Sequence, residues 1–361
     1  MAWGILNYRM NLAETLRDSG FEIIMLAADD QHRHSIEARG FSFFSVPLLR
    51  HGTSLIQELT LLFLIFRRLQ QIKPDYVLSF TIKPNFYSAL LHFFFDFHLI
   101  CNITGLGSVF ESSKVKHVAL QKLVKFVLLR ADYIFFQNPS DASTYCDGTK
   151  FDNYSITHGS GVDLEKFAYR PFFNPIKCRR FVLISRIVAS KGIFEFCAAS
   201  KILSKKYPNW EFEIWGPLEN NVRLGLTKKE LIEALRDSPV RYMGPTDKTE
   251  QVLDTADFVV LPTSYNEGSP KILIEAAAAG KPVVATTMPG CVHTVVDGVT
   301  GFLCAPKNPE DLAKKMSKLA TMPIKDLKKM SKMSRERAEN LFSSKILFDQ
   351  YLRVISELKR N

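Results

Sequence analysis

Two carboxylates, Glu267 and Glu275, bracket Gly268-Ser269-Pro270-Lys271-Ile272 in the stretch Tyr265-Asn-Glu-Gly-Ser-Pro-Lys-Ile-Leu-Ile-Glu275. Ser269 suits an N-cap and Pro270 a first helical position, so a helix is expected to start there. The N–H groups of Lys271, Ile272 and Leu273 would then point out of the helix start, an end that attracts a phosphate or a sugar oxygen. Glu267 lies just before that helix and Glu275 on its second turn, so the pair can hold a polyhydroxyl ligand from two sides. Spacing alone more often describes a solvated carboxylate pair beside an ordinary strand–helix turn. The Gly-Ser-Pro between the carboxylates and the Ala-Ala-Gly280-Lys-Pro282 after them shift the balance toward a site.

The elements that must position these residues are legible around them. An apolar strand over Phe258–Leu261 leads in, and a second strand, Val283–Ala285, leads away. Further strands are expected at Phe21–Leu26, Phe41–Val46, Tyr76–Phe80, Leu99–Ile103, Tyr133–Gln137, Tyr154–Thr157, Phe181–Ser185, Glu211–Trp215, Val240–Met243 and Gly301–Cys304. Helical stretches such as Asn11–Ser19, Leu55–Gln71, Val118–Arg130 and Lys345–Leu358 separate or follow them. This alternation predicts parallel sheets covered by helices, an α/β fold. Ligands of such sheets bind at C-terminal strand ends. Two polar constellations follow strands in this way: Thr81-Ile-Lys83-Pro84-Asn85, and Asn102-Ile-Thr104-Gly105-Leu-Gly107-Ser108. Their glycines let a backbone come close to a phosphate, although a plain turn explains G-x-G equally well.

Glu267-Gly268-x-Pro270 followed by Glu275-Ala-x-Ala-x-Gly280-x-Pro282-Val-Val-Ala resembles the E-x7-E motif of the retaining nucleotide-sugar glycosyltransferases of family 4. The resemblance covers nearly the whole chain. It implies the GT-B fold, two Rossmann-like domains facing a cleft: an acceptor domain over 1–170, a nucleotide-sugar domain over 171–344, and a helix over 345–361 crossing back. It implies that Glu275 holds ribose hydroxyls and Glu267 the donor sugar, while Gly268, Ser269, Pro270, Lys271 and Ile272 supply backbone contacts. Arg186-Ile-Val-Ala-Ser-Lys191-Gly192 is similar to the family's basic loop, in which Arg186 and Lys191 neutralise the donor diphosphate; fixed cations there stabilise charge gathering on the leaving group. Lys83, Asn85, Thr104, Gly105 and Gly107 stand where the related enzymes meet a polyprenyl-diphosphate-linked saccharide. Many relatives carry a His near the second constellation; Thr104 and Gly105 occupy that region here, so no catalytic His is carried over. His158-Gly-Ser-Gly161-Val-Asp163 resembles the family's G-V-D segment, with His158 in a structural role.

The expected activity is therefore a retaining hexosyl- or N-acetylhexosaminyltransferase with a UDP-sugar donor and a lipid-linked saccharide acceptor, acting in surface polysaccharide or glycan assembly. No D-x-D pair is present, so no obligatory metal or other cofactor is expected. Two alternatives stay open: a nucleotide-sugar epimerase on the same fold, and a non-catalytic basic protein binding lipid or nucleic acid.

Composition agrees with a globular enzyme. The chain has 361 residues, long enough for two domains, with 46% apolar and 23% charged side chains. Six cysteines show no C-x-x-C spacing and are expected to be reduced thiols of a cytoplasmic protein. The net charge of +10 is uneven: residues 1–175 carry 17 basic and 16 acidic side chains, the remainder 30 and 21. The excess concentrates in Lys314–Arg337, which fits either a solvated lysine-rich face or attraction to anionic lipid. Nucleic acid is not the expected partner; an anionic membrane surface is, at the inner face of the plasma membrane. The apolar run Leu59–Phe66 is too short to span a bilayer and is read as a helix buried on the sheet.

One expectation concerns the start of the chain. Nothing before Met10 reads as a strand, whereas relatives place a central strand and a loop ahead of the equivalent of Trp3-x-x-Leu6-Asn7-Tyr8-Arg9. The N-terminal sheet is thus expected to lack its first strand, leaving Phe21–Leu26 without its neighbour, and the native reading frame is expected to begin upstream.

Overall fold

A computed structural model describes residues 1–47, 55–105, 115–170, 179–218 and 225–360. Twelve strands, all parallel where they pair, fall into three sheets among these residues. They are β1 Ile24–Ala27, β2 Ser42–Ser45, β3 Tyr76–Phe80, β4 His98–Ile103, β5 Tyr133–Phe136, β6 Tyr154–Ile156, β7 Arg180–Ile184, β8 Glu211–Trp215, β9 Val240–Gly244, β10 Phe258–Leu261, β11 Val283–Thr286 and β12 Gly301–Cys304.

The six C-terminal strands run in the order β12-β11-β10-β7-β8-β9. Side chains alternate between the two faces of this sheet, as the two-residue period of a strand requires. Phe181 and Leu183 of β7, with Phe258 and Val260 of β10, join one core together with Phe196 and Phe212. Val182, Val259 and Leu261 join the other, against Leu273, Ala276 and Ala277 of the helix Lys271–Ala278. Burial on both faces explains why β10 and β11 read as unbroken apolar runs. The strand order reverses at β7, between β10 and β8, so the loops after β7 and β10 open side by side.

The N-terminal sheet is in two pieces. β3 to β6 form one sheet in sequence order, and β1 pairs with β2 in another. The break lies between β1 and β3, where the missing neighbour of the first strand was expected, and the residues ahead of β1 are helical, Ala2–Tyr8 and Met10–Asp18. Side chains bridge the break: Phe21 meets Tyr76 edge to face at 6.1 Å, and the Arg9 guanidinium lies 4.2 Å from the centre of the Phe80 ring.

The last helix, Ser344–Leu358, lies on the N-terminal sheet. Its Leu347, Tyr351, Val354 and Ile355 share a core with Leu12, Leu16, Ile100 and Phe135. The Tyr351 hydroxyl donates to Asn102 Oδ1, and Val162 N–H donates to Phe342 O at 2.8 Å just before that helix.

One expectation needs correction here. The helix Leu55–Ile72 is not simply buried: Leu61 and Leu69 face inward, but Leu59 and Phe63 stand in solvent. A run interrupted only by Thr60 gives no clear face, so the sequence did not show which residues turn out. The linker read at 169–177 and Cys178 lie largely outside the described residues, as does Gly107. The five described cysteines are free thiols. No helix among the described residues is long and apolar enough to cross a membrane.

Candidate active site

The site is assembled from the loops after β7 and β10. Gly192, in the left-handed region at φ 80°, ends the short turn Ala189–Lys191. A Cβ there would lie 2.2 Å from Pro262 O, so only glycine lets the β7 loop lie against the β10 loop. Ser264 N–H and Thr263 Oγ1 both donate to Ser190 O, at 2.8 and 3.1 Å. This stitching sets Lys191 Nζ 2.6 Å from Glu267 Oε1, with both side chains largely screened from solvent. The contact is an ion pair without an aligned hydrogen bond, and beside it the buried Asn266 Oδ1 has no hydrogen-bond partner among the described residues.

Glu275 lies on the second turn of the helix Lys271–Ala278. It is buried, and Lys271 Nζ lies 3.5 Å from its Oε1. Desolvation raises its carboxyl above the ordinary range, and Lys271 opposes that rise. The Lys271 ammonium reaches across the cleft as well: it donates to Asn7 O at 2.6 Å and stands 4.7 Å from the centre of the Tyr8 ring. The enclosing cleft raises the Tyr8 phenol, Glu275 and Glu267 add to that, and Arg186 works against it. Arg186, Glu267, Glu275 and Tyr8 therefore share one electrostatic neighbourhood.

The helix start itself differs from the expectation. Ser269 is not the N-cap. The helix begins at Lys271 with Pro270 at the cap position and no side-chain cap bond. Ser269 Oγ donates instead to Gln137 O at 3.1 Å, across to the N-terminal domain. Leu273 N–H is also taken, donating to Pro270 O at 3.0 Å. Ligand contacts at this end fall to groups before Leu273.

Across the cleft, Thr104 and Gly105 pack directly on the loop after β10. A Cβ on Gly268 would lie 2.6 Å from Gln137 Oε1 and 2.8 Å from Thr104 O. A Cβ on Gly105 would lie 3.0 Å from Gly268 N. Asn138 Nδ2 donates to Gly268 O at 2.7 Å, while its Oδ1 caps the helix Pro139–Cys146 by accepting from Asp141 N–H at 2.8 Å. Lys83 stands at the start of the helix Ile82–Leu91, ion-paired at 2.6 Å with Glu58. Asn85 is fully buried; its amide donates to Asn102 O at 2.9 Å, so it holds the loop from beneath rather than facing the cleft. Gly216 N–H donates to Gly244 O at 2.8 Å, which joins the chain at the ends of β8 and β9. His158, at φ 55°, stacks on His293 with Nδ1 and Nε2 2.8 Å apart.

Sequence reasoning gathered Arg186, Lys191, Glu267 and Glu275 into one neighbourhood. It passed over the Lys271 side chain, Gln137, Asn138 and His293. Asn138-Pro139 carried a visible helix-start signal, but its second partner lies 130 positions away. Among the described residues no group of three or more His, Cys, Asp or Glu is placed to hold a metal ion.

Comparison with known proteins agrees with this layout. Residues 178–322 match the family described as glycosyl transferases group 1, and residues 6–138 that described as glycosyl transferase 4-like. The chain is 24% identical to the N,N'-diacetylbacillosaminyl-diphospho-undecaprenol alpha-1,3-N-acetylgalactosaminyltransferase of Campylobacter jejuni, covering 99% of this chain and 96% of that one. Its fold is similar to a Rickettsia africae glycosyltransferase, with a TM-score of 0.79, 16% identity and coverage of 99% and 96%. It is also similar to Anabaena HepE in complex with UDP-glucose, with a TM-score of 0.78, 16% identity and coverage of 96% and 94%.

Proposed function

We propose that this chain, a glycosyltransferase of the GT-B fold whose halves belong to the 4-like and group 1 families, moves a hexose or N-acetylhexosamine from a UDP-sugar to a polyprenyl-diphosphate-linked saccharide with retention at the anomeric carbon. The observation that carries this reading is the Lys191–Glu267 pair at 2.6 Å, set at the point where the sheet order reverses and facing the N-terminal domain. The Campylobacter relative is named for a diphospho-undecaprenol acceptor, and the Anabaena structure holds UDP-glucose; both support the substrate classes.

In this reading Arg186 and Lys191 take the donor diphosphate. Glu275 accepts from the ribose hydroxyls and Glu267 from a hydroxyl of the sugar, with Gly268, Ser269, Pro270, Lys271 and Ile272 shaping the backbone around them. Before the donor arrives, Glu267 holds the Lys191 ammonium in place. The donor diphosphate then shares that cation, and fixed positive charge stabilises the leaving group as the anomeric C–O bond breaks. The acceptor hydroxyl attacks from the face the diphosphate leaves, and its proton passes to the departing phosphate oxygen. A double displacement needs a positioned nucleophile, and none is assigned. Lys83, Thr104 and Gly105 front the acceptor side in this reading, Asn85 supports it, and Gly107, outside the described residues, joins them by the family resemblance alone. No step calls for a metal ion. The site works at the inner membrane face in the assembly of surface polysaccharide or glycan.

Incubating the purified chain with a panel of nucleotide sugars tests the donor class. Slow release of UDP and free sugar from a UDP-sugar, abolished in Lys191→Ala, is expected. Release of an epimerised sugar without any acceptor would move the assignment to an epimerase.

A further inference from the structure

This protein buries its aromatic side chains well: Phe135, Phe136, Phe181, Phe196, Phe212, Phe258 and Phe342 are all under 2% exposed. Against that background Phe63, Phe94 and Phe126 stand out, at 59%, 70% and 59% exposed. All three lie on the N-terminal domain and on one continuous wall. Phe63 is one turn from Phe66 on the helix Leu55–Ile72, and the Phe66 ring meets Phe94 at 6.4 Å. Next to Phe94, Phe93 lies under the Arg130 guanidinium at 5.0 Å, and the same guanidinium covers Phe126 at 5.7 Å. Exposed Leu59 extends the wall at one end and exposed Leu123 at the other.

We propose that this wall is the membrane-docking surface of the protein, seated on an anionic bilayer with its aromatic side chains at headgroup depth. The composition fits that occupant: apolar rings alternate with cations, Arg130 between Phe93 and Phe126, with exposed Arg67 and Lys122 on the two flanking helices. Interfacial binding needs both parts, apolar area to enter the boundary and positive charge to meet acidic headgroups. Exposed Asp96 is the acidic group within the wall. The basic helices Pro309–Ala320 and Ile324–Arg337, which the sequence singled out, have only one part. Residues 309–337 present no exposed large apolar side chain, so their lysines form a solvated face.

Position supplies a second reason, which rests on the lipid-linked acceptor reading. Glu58 neighbours Leu59 on the same helix, and its carboxylate holds Lys83 at 2.6 Å and accepts from the Tyr87 hydroxyl. The exposed apolar helix face therefore starts beside the acceptor side of the cleft. A polyprenyl tail in the bilayer would leave its diphosphate close to Lys83.

The test is vesicle sedimentation of the full chain with phosphatidylcholine alone and with about 30% phosphatidylglycerol added. Wild type should partition to the anionic vesicles. The triple variant Phe63→Ser, Phe94→Ser, Phe126→Ser should lose about tenfold or more of that partition, with UDP binding unchanged as evidence that it folds. Replacing Lys314, Lys315, Lys325 and Lys328 by Gln should change partition by no more than about twofold. Wild type left in the supernatant, equal binding by the triple variant, or a larger loss in the lysine variant would each overturn the proposal. So would a wild-type dimer that the triple variant breaks without any vesicle binding, because the wall would then belong to a second copy. Loss of sugar transfer to every lipid acceptor with vesicle binding intact would sink the acceptor reading and leave the surface standing.

Discussion

Lys191 Nζ and Glu267 Oε1 lie 2.6 Å apart, although they come from loops that follow different strands of the sheet. The cation proposed for the diphosphate is thus held by the carboxylate proposed for the sugar. Removing the carboxylate charge would free Lys191 and lift a repulsion from the diphosphate. Glu267→Gln is expected to bind UDP as tightly as wild type or a few-fold more tightly, while transfer falls by about 100-fold. Calorimetric titration with UDP beside an initial-rate assay checks both halves; weaker UDP binding would reverse the assigned roles.

Glu275 is the opposite case. It is buried and proposed to accept from the ribose hydroxyls, so its loss should appear in binding. Glu275→Gln, which keeps the shape, is expected to weaken UDP by about tenfold, the lower end of roughly 1.5–3 kcal/mol for a hydrogen bond to a charged acceptor. Unchanged UDP affinity in the same titration would remove Glu275 from the donor site.

Gly268 is one of the points where the two domains touch. A Cβ there would meet Gln137 Oε1 at 2.6 Å and the Thr104 carbonyl at 2.8 Å, the latter backbone that cannot step aside. Gly268→Ala is expected to lower thermal stability by about 1–3 kcal/mol through overpacking and to reduce transfer. Gly4→Ala, with nothing within 4 Å of the new methyl, is the control. Differential scanning fluorimetry of the pair separates them, and equal melting temperatures would mean that the domains do not close on Gly268 in solution.

The His158–His293 stack makes a pH signature. Burial, then His158, then Arg337 depress the His293 imidazole to about 4 from an ordinary 6.5. Between those values the unfolded chain holds a proton that the native chain does not, so stability falls as pH drops from 6.5 toward 4. Solvent access to the pair trims the effect to the order of 1 kcal/mol. Urea unfolding at pH 7 and pH 5 should show a smaller decline for His293→Asn than for wild type. Equal declines would place the acid sensitivity elsewhere.

Much of this layout was readable in the chain. Tyr76–Phe80, Glu211–Trp215, Phe258–Leu261 and Gly301–Cys304 form strands with the bounds read from their apolar runs. Arg186, Lys191, Glu267 and Glu275 were assigned through the family resemblance, and the short loops after β7 and β10 bring Lys191 and Glu267 together. Long-range partnerships were not readable. Ser269 looks like a helix cap, yet its hydroxyl bonds to Gln137 O, 132 positions away, and that competition leaves no local trace. Lys271 was assigned a backbone contact only, because the reach of its side chain to Asn7 O depends on how the domains face each other. The outward turn of Leu59 and Phe63 was hidden for a related reason: a run apolar at every position but Thr60 has too weak a period to set its face.

The central claim is a nucleotide-sugar-dependent transfer to a lipid-linked saccharide. Its most direct measurement uses the purified chain, a polyprenyl-diphosphate-linked saccharide and a panel of UDP-sugars, with the product's anomeric configuration read by NMR. The account predicts transfer from one UDP-sugar class with the donor's configuration kept, abolished in Lys191→Ala and strongly reduced in Glu267→Gln. Transfer with inverted configuration, or no transfer from any UDP-sugar by a chain that binds UDP, would contradict it.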